Sequence, residues 1–501
     1  MKKIYNSFNE IKDANKSINK PLDFDKFWAK QLEKVKNIDL NIKLEKAIDE
    51  NFEKVELYYL SFDSFDGTRV YCKYLRPKVD GNTPLILQFH GYPGASRSFF
   101  ELSSYTQKGI SVLAMDCRGQ GGRTLDKGGS IGPTVCGHLI NGLLGDMEDH
   151  IYVKIFLDTY LVYEVAKELE DIDEDRIYAS GSSQGAALAI VCASLHKEIK
   201  KIALLYPFLS DYKKVFELEY DEIAYEGLRY YSRWFDPTGE NLDKIFDKLA
   251  YIDVSNFAGG INADVIYGIS LADQVCPPLV QASVYKQISS NKKLYTFKGF
   301  GHEKICSMED KLIPFFLEDE SLNSDYLPNI EIENLNIKVN ILRHMGHRKC
   351  LLYLNPSIEM KSFYFRRFLN LGYDVYSLIC NKNYNEDTID NLVKYLCNKY
   401  DDIVIMAYRE FANYTLKVTS NKKIKALILQ GLIEEKDIFN KINISCKKLI
   451  ATLGIDEMTS EDFNGQLLEK LDNLEYYHYP RYMYERINDF EDRKMQFLNK
   501  L

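Results

Sequence analysis

The 501-residue sequence lacks the features that would place it in a membrane, in a secretory pathway or on nucleic acid. It contains no apolar run of about 18 residues, the length that a membrane-spanning helix needs, and residues 1–6 contain no apolar segment of the kind found in signal peptides. Its 10 cysteines form no CxxC pair and no Cys/His cluster with the spacing of a zinc site. Acidic residues outnumber basic residues by 73 to 64, whereas nucleic-acid binding relies on a basic surface. We therefore expect a cytoplasmic protein with reduced cysteines and no metal, membrane or nucleic-acid partner.

The remaining composition is typical of a globular protein. Hydrophobic residues make up 46% of the chain and charged residues 27%. At roughly 100–200 residues per domain, the length allows two to four domains. A chain of this size can bury enough apolar surface to fold without disulfides or a structural metal.

Short apolar runs alternate with helical stretches from residue 85 onward. Continuous apolar strands separated by helices indicate a mostly parallel sheet with helices on both faces. The predicted strands lie at residues 85–89, 111–116, 176–180, 202–206, 264–267 and 294–297, and the predicted helices at 97–108, 151–170 and 185–197. Alternating residues at 56–75 predict antiparallel strands at one edge of this sheet. The expected class is α/β.

A polar stretch at residues 317–336 interrupts the alternation and predicts a linker or a domain boundary. Strand-like runs resume after it, at residues 351–354, 375–378, 403–406, 426–429 and 449–452. We therefore predict two domains, residues 1–320 and a smaller α/β domain at 337–501. The second is either a degenerate repeat of the first or an unrelated α/β domain.

A G-x-S-x-G pentapeptide, Gly181-Ser182-Ser183-Gln184-Gly185, lies between a predicted strand and an apolar helix. A nucleophile elbow requires this strand–turn–helix context, because the turn exposes the serine hydroxyl at its tip. Gly181 and Gly185 would permit the close approach of strand and helix. Ser183 is therefore the predicted nucleophile, with a structural Gly/Ser turn as the alternative.

A serine hydroxyl needs a base, and in α/β-hydrolases the acid and then the histidine follow the serine in the chain. His302 lies in a loop directly after the strand at 294–297, while His344 and His347 lie beyond the predicted linker. Asp273 lies in the loop after the preceding strand, at 264–267. We predict His302 as the base and Asp273 as the residue that orients it.

The oxyanion of an acyl-transfer reaction needs two N–H donors. One is the residue after the nucleophile, here Gln184. The second lies after the first core strand, where His90-Gly91-Tyr92 stands, so Tyr92 is the candidate. A purely structural turn at the end of that strand is the alternative.

Three ordered motifs resemble one family, the acetyl xylan esterases and cephalosporin C deacetylases of carbohydrate esterase family 7. They are the RGQG motif at Arg118-Gly119-Gln120-Gly121, the GxSQG motif at residues 181–185, and the late pair His302-Glu303. The resemblance covers about residues 15–318. It implies an α/β-hydrolase fold and a serine esterase that removes acetyl groups from small acetylated sugars. It also implies the triad Ser183, Asp273 and His302 with Tyr92 and Gln184 as oxyanion donors.

The same resemblance implies that the reaction needs no metal or organic cofactor and that copies of the chain form a homo-oligomer. Arg118 and Gln120 belong to a family motif, and we expect them to brace the elbow region through hydrogen bonds. The departure from the family is a segment of about 180 residues after residue 320. An added domain could block or remodel the family's hexamer, so the number of copies stays open.

Two other functions fit the residues. One is a different serine hydrolase on the same fold, such as a peptidase, a thioesterase or a longer-acyl esterase. The other is a binding or scaffold protein, which is the leading idea for the second domain. In that domain, Arg409 or Glu410 would replace the nucleophile and no histidine stands at residues 479–484, where the counterpart of the His302 loop would lie.

Overall fold

The computed structural model describes most of the chain. The described residues are 3–47, 52, 54–128, 137–220, 224–317, 326–332, 335, 337–343, 347–355, 362–378, 384–418, 421–433, 435, 446–453, 466, 468–469, 471, 473–479, 493–494 and 497–498. The predicted counterpart of the His302 loop is residues 479–484, and it lies outside the described residues from position 480 onward.

The chain divides into two compact units. Unit 1 comprises Met1–Ala47, Glu56–Phe99 and Lys108–Phe316. Unit 2 comprises Ile48–Val55, Phe100–Gln107 and Leu317–Leu501. Two short segments from the first part of the sequence therefore belong to unit 2.

The first sheet has nine strands within the described residues, in the order β1-β2-β3-β5-β4-β6-β7-β8-β9. Pairing is parallel from β5 to β9 and antiparallel between β3 and β5. The strands are β1 (Lys43–Lys46), β2 (Val55–Asp63), β3 (Arg69–Pro77), β4 (Thr83–Phe89), β5 (Ser111–Met115), β6 (Ile172–Ser182), β7 (Lys201–Leu205), β8 (Asp264–Ser270) and β9 (Lys292–Phe297). Every residue of β5 and β7 is buried, as expected for strands covered on both faces.

The helices of this part of the chain separate the strands. They are α1 (Phe24–Glu33), α2 (Phe99–Thr106), α3 (Ile151–Lys167), α4 (Gln184–Leu195), α5 (Tyr212–Glu217), α6 (Glu226–Trp234), α7 (Leu242–Leu249), α8 (Ser255–Ala258), α9 (Pro278–Gln287), α10 (Cys306–Glu309) and α11 (Leu312–Leu317), with 3-10 turns at Phe8–Glu10, Met147–Asp149 and Ala250–Ile252. Helix α4 is rich in alanine, a strong helix former, and its first ten residues are all buried. A helix that is apolar on every side is stable only in a protein interior, and this one follows the inner strand β6.

The second sheet has eight strands within the described residues, in the order β10-β11-β13-β12-β14-β15-β16-β17. The strands are β10 (Tyr326–Ile332), β11 (Ile337–Leu342), β12 (Lys349–Leu354), β13 (Tyr373–Leu378), β14 (Asp402–Tyr408), β15 (Ile424–Gln430), β16 (Lys447–Leu453) and β17 (Leu474–Tyr479). The helices are α12 (Ser362–Leu369), α13 (Glu386–Lys399) and α14 (Glu410–Leu416). Pairing is parallel from β13 to β17, and β11 is antiparallel to β13.

The two sheets share one topology. Strands β11-β13-β12-β14-β15-β16-β17 follow the same order and directions as β3-β5-β4-β6-β7-β8-β9. Helices α12, α13 and α14 occupy the same places in the chain order as α2, α3 and α4. This shared order confirms the α/β class and favours the repeat over an unrelated α/β domain.

Of the two alternatives for residues 317–336, a linker is wrong over part of the stretch, because Tyr326–Ile332 forms β10, while the last segment of unit 2 begins at Leu317. The polar composition of the stretch hid a strand that pairs with β11 alone, at the edge of the sheet. The register shifts between Leu327 and Ile330, and Asn329 has a positive φ of 56° there. Proline and a bulge are tolerated on an edge strand, where half of the backbone groups need no ladder partner.

The α-helices in the described part of the chain are between 4 and 17 residues long. Among them, none has the length and apolar character needed to cross a bilayer.

Candidate active site

Ser183 stands at the turn between β6 and α4. Its backbone has φ 57° and ψ −123°, a strained conformation for a residue with a side chain. A Cβ at Gly181 would overlap the backbone of Gly185, and a Cβ at Gly185 would overlap the carbonyl group of Phe89 in β4. Only glycine at these two positions allows the helix to start so close to the strands. The sequence at this turn therefore has the local geometry of a nucleophile elbow.

The structure brings Ser183, His302 and Asp273 together. His302 Nε2 lies 3.0 Å from Ser183 Oγ, and His302 Nδ1 lies 2.9 Å from Asp273 Oδ2. Asp273 follows β8 and His302 follows β9, so both come from the carboxyl ends of neighbouring parallel strands. The Asp273 side chain is fully buried, whereas that of His302 is 21% exposed. This chain of contacts can carry a proton from the serine to the imidazole while the carboxylate stabilises the resulting charge.

The buried carboxylate of Asp273 is fully hydrogen-bonded. The backbone N–H groups of Val275 and Cys276 donate to Oδ1, at 2.8 and 2.9 Å. The Gln281 amide donates to Oδ2 at 3.1 Å, beside the bond from His302. A buried charge is tolerated when its lone pairs are satisfied in this way.

The backbone around Tyr92 and Gln184 lies close to the nucleophile. Gln184 is the first residue of α4, and N–H groups in the first turn of a helix have no partner inside that helix. A Cβ on Gly91 would lie 3.7 Å from the Ser183 Cβ, so the loop that leads to Tyr92 passes beside Ser183. Both candidate donors therefore belong to segments adjacent to the serine.

The Gln184 side chain is buried and connects this region to the RGQG motif. Gln184 and Gln120 exchange two amide hydrogen bonds, at 2.8 and 3.0 Å. The Tyr152 hydroxyl also donates to the Gln184 oxygen, at 3.1 Å. The Gly121 N–H donates to the carbonyl groups of Pro93 and Gly94, at 3.1 and 2.9 Å. The motif thus contacts both the elbow helix and the loop that carries Tyr92.

Arg118 makes a different set of contacts. Its buried guanidinium donates to both carboxylate oxygens of Asp158 in α3, each at 2.7 Å, and to Asp66 in the β2–β3 turn at 2.5 Å. Burial raises the pKa of Asp66, but the hydrogen bonds from Arg118 outweigh this effect and hold the pKa below its usual value. Gly119 has a positive φ of 68° and donates its N–H to Thr124. Arg118 therefore ties α3 to the β2–β3 turn.

The His302 loop is held from two sides. The Glu303 carboxylate accepts the Gly301 N–H at 2.9 Å, and the Tyr206 hydroxyl donates to the Glu303 carbonyl at 2.6 Å. The Tyr206 ring lies 4.6 Å from the His302 ring, centre to centre. Burial raises the pKa of Tyr206, so this hydroxyl stays protonated and acts as a donor.

Sequence reasoning did not identify Gln281, Tyr206 or Tyr152. Gln281 is a lone amide in the apolar first half of α9, shortly after the Asp273 loop. A polar side chain in such a position is the sequence pattern that could have indicated a partner for Asp273. Tyr206 and Tyr152 carried no such signal, since buried tyrosines are frequent in this core. In the described residues, no three His, Cys, Asp or Glu side chains cluster in a way that could hold a metal ion.

Unit 2 contains a turn of the same shape at Arg409, between β14 and α14. Arg409 has φ 53° and ψ −128°, close to the values at Ser183. Its N–H donates to the carbonyl of the last residue of β15, Gln430, as the Ser183 N–H donates to Leu205 at the end of β7. Arg409, not Glu410, therefore occupies the position of the nucleophile.

Known proteins resemble unit 1. The family model described as acetyl xylan esterase (AXE1) matches residues 1–319. The acetyl esterase Axe7A of Xylanibacter ruminicola is 26% identical over 282 residues, and the match covers 54% of this chain and 61% of that protein. The chain thus spans less than two thirds of the length of this curated relative.

Two solved structures match a similar share of the chain. Acetyl xylan esterase 1 from Thermoanaerobacterium sp. JW/SL YS485 is 36% identical with a TM-score of 0.60, covering 62% of this chain and 98% of its own. The acetyl xylan esterase from Paenibacillus sp. R4 is 26% identical with a TM-score of 0.59, covering 62% and 99%. These matches confirm the resemblance to acetyl xylan esterases and the α/β-hydrolase fold. Because the family model covers well over half of the sequence, the chain belongs to the acetyl xylan esterase family.

Proposed function

We propose that this protein is a serine esterase that removes acetyl groups from small acetylated carbohydrates. The observation that carries the proposal is the continuous hydrogen-bonded path from Ser183 through His302 to the buried Asp273, at the carboxyl edge of an α/β-hydrolase sheet. The acetyl group and the sugar come from the family to which the chain belongs. The hydrogen-bonded path itself is inferred from the distances between side chains of this chain.

In the first half of the proposed reaction, His302 Nε2 removes the proton of Ser183 as Oγ attacks the acetyl carbonyl carbon. The N–H groups of Tyr92 and Gln184 bind the oxyanion that forms. Asp273 stabilises the imidazolium through Nδ1. His302 then protonates the oxygen of the sugar as it leaves, and an acetyl group remains on Ser183.

In the second half, His302 takes a proton from a water molecule that attacks the acetyl-enzyme. The same N–H groups bind the second oxyanion. Its collapse releases acetate and returns the proton to Ser183. Every proton in this cycle passes through one imidazole, and the chemistry requires no metal or organic cofactor.

The alternative functions differ from this proposal in their substrate and not in their catalytic residues. A peptidase, a thioesterase or a longer-acyl esterase would use the same three side chains. Deacetylation of cephalosporin C is a second candidate within the acetyl-ester class, because the sequence motifs resemble those of enzymes with that activity.

We also propose that residues 1–320 form the esterase domain and that residues 337–501 form a non-catalytic domain. Unit 2 keeps the strained turn but has Arg409 in place of the serine, and an arginine stays protonated and cannot act as a nucleophile. Ala407 and Phe411 replace the two elbow glycines, so α14 need not approach the strand as α4 does. The retained strain without a nucleophile fits a hydrolase repeat that has lost its reaction.

The remaining proposals concern the cellular location and the partners of the protein. The eight cysteines in the described part of the chain are all free thiols, which suits the reducing cytoplasm. We expect a small acetylated substrate as the partner, and self-association of copies as in the family.

The test compares Ser183→Ala with Ser182→Ala on an acetyl ester. Ser183→Ala should lower kcat by a factor of about 10³ or more with the fold intact, because no other group can form the acetyl-enzyme. Ser182→Ala removes the neighbouring hydroxyl and should keep kcat within about tenfold. Near-normal turnover by Ser183→Ala would refute the nucleophile assignment. Acetylated xylo-oligosaccharides, acetylated glucose and cephalosporin C, tested side by side, identify the preferred acetyl ester.

A further inference from the structure

The Oδ2 atom of Asp273 receives two hydrogen bonds, and only one of them comes from the histidine. The second comes from Gln281 Nε2 at 3.1 Å. Gln281 lies in α9 and is fully buried. Its neighbours Val280, Ala282 and Val284 are also buried, so the amide stands in a mostly apolar stretch of helix. A buried amide is unfavourable unless its donors and acceptor are all used.

All three polar positions of this amide are used, and together they fix its orientation. Nε2 donates to Asp273 Oδ2 and to the Cys276 carbonyl at 2.7 Å. Oε1 accepts the Ser270 N–H at 3.1 Å. A flipped amide would place its oxygen against the carboxylate and its NH2 group against a backbone N–H. The flip is therefore disfavoured at all three contacts.

The amide also connects the two ends of the Asp273 loop. Ser270 is the last residue of β8, while Cys276 lies three residues after Asp273. The Tyr267 hydroxyl donates to the Gln281 carbonyl at 2.7 Å and fastens the helix backbone to β8. Gln281 thus fixes the carboxylate relative to the strand and not only to the loop.

We propose that Gln281 is a positioning residue for the esterase reaction, and that it holds Asp273 Oδ2 in the plane and at the distance that His302 Nδ1 requires. This inference rests on the proposed function, since it assigns a role within the Ser183–His302–Asp273 path. Gln281 acts through Asp273, and its other side-chain hydrogen bonds are with the backbone of Cys276 and Ser270.

Loss of this donor has a directional effect on the chemistry. With one donor fewer, the carboxylate concentrates more negative charge on the bond to His302 and holds an imidazolium more tightly. The base then loses its proton only at a higher pH. Oδ2 would also keep His302 as its only partner, so that Val275 and Cys276 would hold the carboxylate through Oδ1 alone.

Other titratable groups near the pair do not produce the same effect. Burial raises the pKa of Tyr206, Tyr220 and Cys276, so all three stay neutral through the range in which an imidazole titrates. The Glu303 carboxylate is bonded to the Gly301 N–H. A shift of the pH profile in a Gln281 variant therefore reports on Asp273 and His302.

The experiment uses Gln281→Met, which keeps the size of the side chain and removes its hydrogen bonds. We expect kcat for an acetyl ester to fall by about 10- to 100-fold, equivalent to about 1.4–2.7 kcal/mol at 1.36 kcal/mol per factor of ten, with KM within about threefold. The acid limb of kcat/KM should move to higher pH by about half a unit or more.

Ser283→Ala is the matched control. The Ser283 hydroxyl is buried in the same helix and donates only to the Val280 carbonyl, at 2.9 Å. This variant should keep the kcat and the acid limb of the wild-type protein. A loss that merely reflects damage to α9 would appear in both variants.

Gln281→Glu is the second variant, and it decides the question if Gln281→Met fails to fold. The introduced carboxyl group can still donate to Asp273 when it is protonated, whereas its ionised form repels Asp273. The activity of this variant relative to the wild type should therefore be higher at pH 6 than at pH 8.

The positioning role is overturned if Gln281→Met keeps the kcat and the pH profile of the wild type. If Gln281→Met does not fold, the role is overturned when the activity of Gln281→Glu relative to the wild type is the same at pH 6 and pH 8. Ser183→Ala is measured in parallel. If Ser183→Ala is inactive while Gln281→Met behaves as wild type, only this inference fails. If Ser183→Ala remains active, the proposed function itself fails.

Discussion

His150 makes the stability of unit 1 sensitive to acid. It is fully buried at the start of α3, where Nδ1 accepts the Tyr152 N–H and Nε2 donates to the Leu139 carbonyl. The bond from Tyr152 requires an unprotonated Nδ1, whereas Nε2 donates to Leu139 in either protonation state of the imidazole. Burial lowers the pKa of His150 from 6.5 to about 4.

The direction of the effect follows from linkage. Below pH 6.5 the unfolded chain binds a proton at this histidine and the folded chain does not, so the free energy of unfolding falls as the pH falls from 6.5 towards 4. Above pH 6.5 the contribution is constant. Between pH 7.5 and pH 5 the loss is about 2 kcal/mol. For a unit of roughly 300 residues, this corresponds to a lowering of the melting temperature by roughly 3 °C.

His150→Asn isolates this contribution. Asparagine is a preferred N-cap, so its side-chain oxygen can still accept the Tyr152 N–H while the titratable group is gone. We expect the variant to be less stable than the wild type at pH 7.5, by about 1–2 kcal/mol for the lost bond to Leu139. The difference in stability between pH 7.5 and pH 5 should shrink by about 2 kcal/mol relative to the wild type.

The assay is thermal or urea unfolding of both proteins at the two pH values, followed by near-ultraviolet circular dichroism. His196, whose pKa burial also lowers to about 4, remains in both proteins and cancels in the comparison. An equal loss of stability on acidification in wild type and His150→Asn would refute the reasoning.

Three further predictions concern the active site. The kcat/KM of the wild-type protein should fall on the acid side of the profile, since a protonated imidazole cannot accept the Ser183 proton, and a profile that is flat down to pH 4 would exclude a histidine base. Acetyl p-nitrophenyl ester should be strongly preferred over the octanoyl ester, because a pocket closed around a methyl group excludes longer chains; equal rates would favour a longer-acyl esterase. Gly185→Ala should lower both stability and kcat, because its Cβ overlaps the Phe89 carbonyl and displaces the helix that follows Ser183. Ala189→Gly, in the same helix, should lower stability by about 1 kcal/mol while kcat changes little.

Local pattern was sufficient for the α/β class and for the nucleophile's turn. Apolar runs separated by helices predict a parallel sheet because each strand must be buried on both faces, and β5 and β7 are. The pentapeptide at residues 181–185 predicts the elbow because its glycines permit a close approach that other residues forbid. The loops after two successive strands gave His302 and Asp273 as candidates, and the structure places both beside Ser183. Their catalytic roles stay predictions.

Tertiary structure alone decided what depends on partners far away in the chain. The strand β10 forms from a polar sequence because β11 offers it a hydrogen-bonding edge. Arg118 is placed by carboxylates 52 and 40 residues away, at Asp66 and Asp158.

Contacts between distant segments also explain two features that the sequence left open, namely the residue at the centre of the unit 2 elbow and the second hydrogen-bond donor to Asp273 Oδ2. The elbow of unit 2 is centred on Arg409 because its N–H meets the Gln430 carbonyl of a neighbouring strand, and no local pattern distinguishes Arg409 from Glu410. Gln281 reaches Asp273 because α9 packs back against β8, which gives an ordinary-looking helix residue a fixed place beside a buried charge. Local propensity and periodicity describe a residue's own segment, whereas these contacts arise only when separate segments pack together.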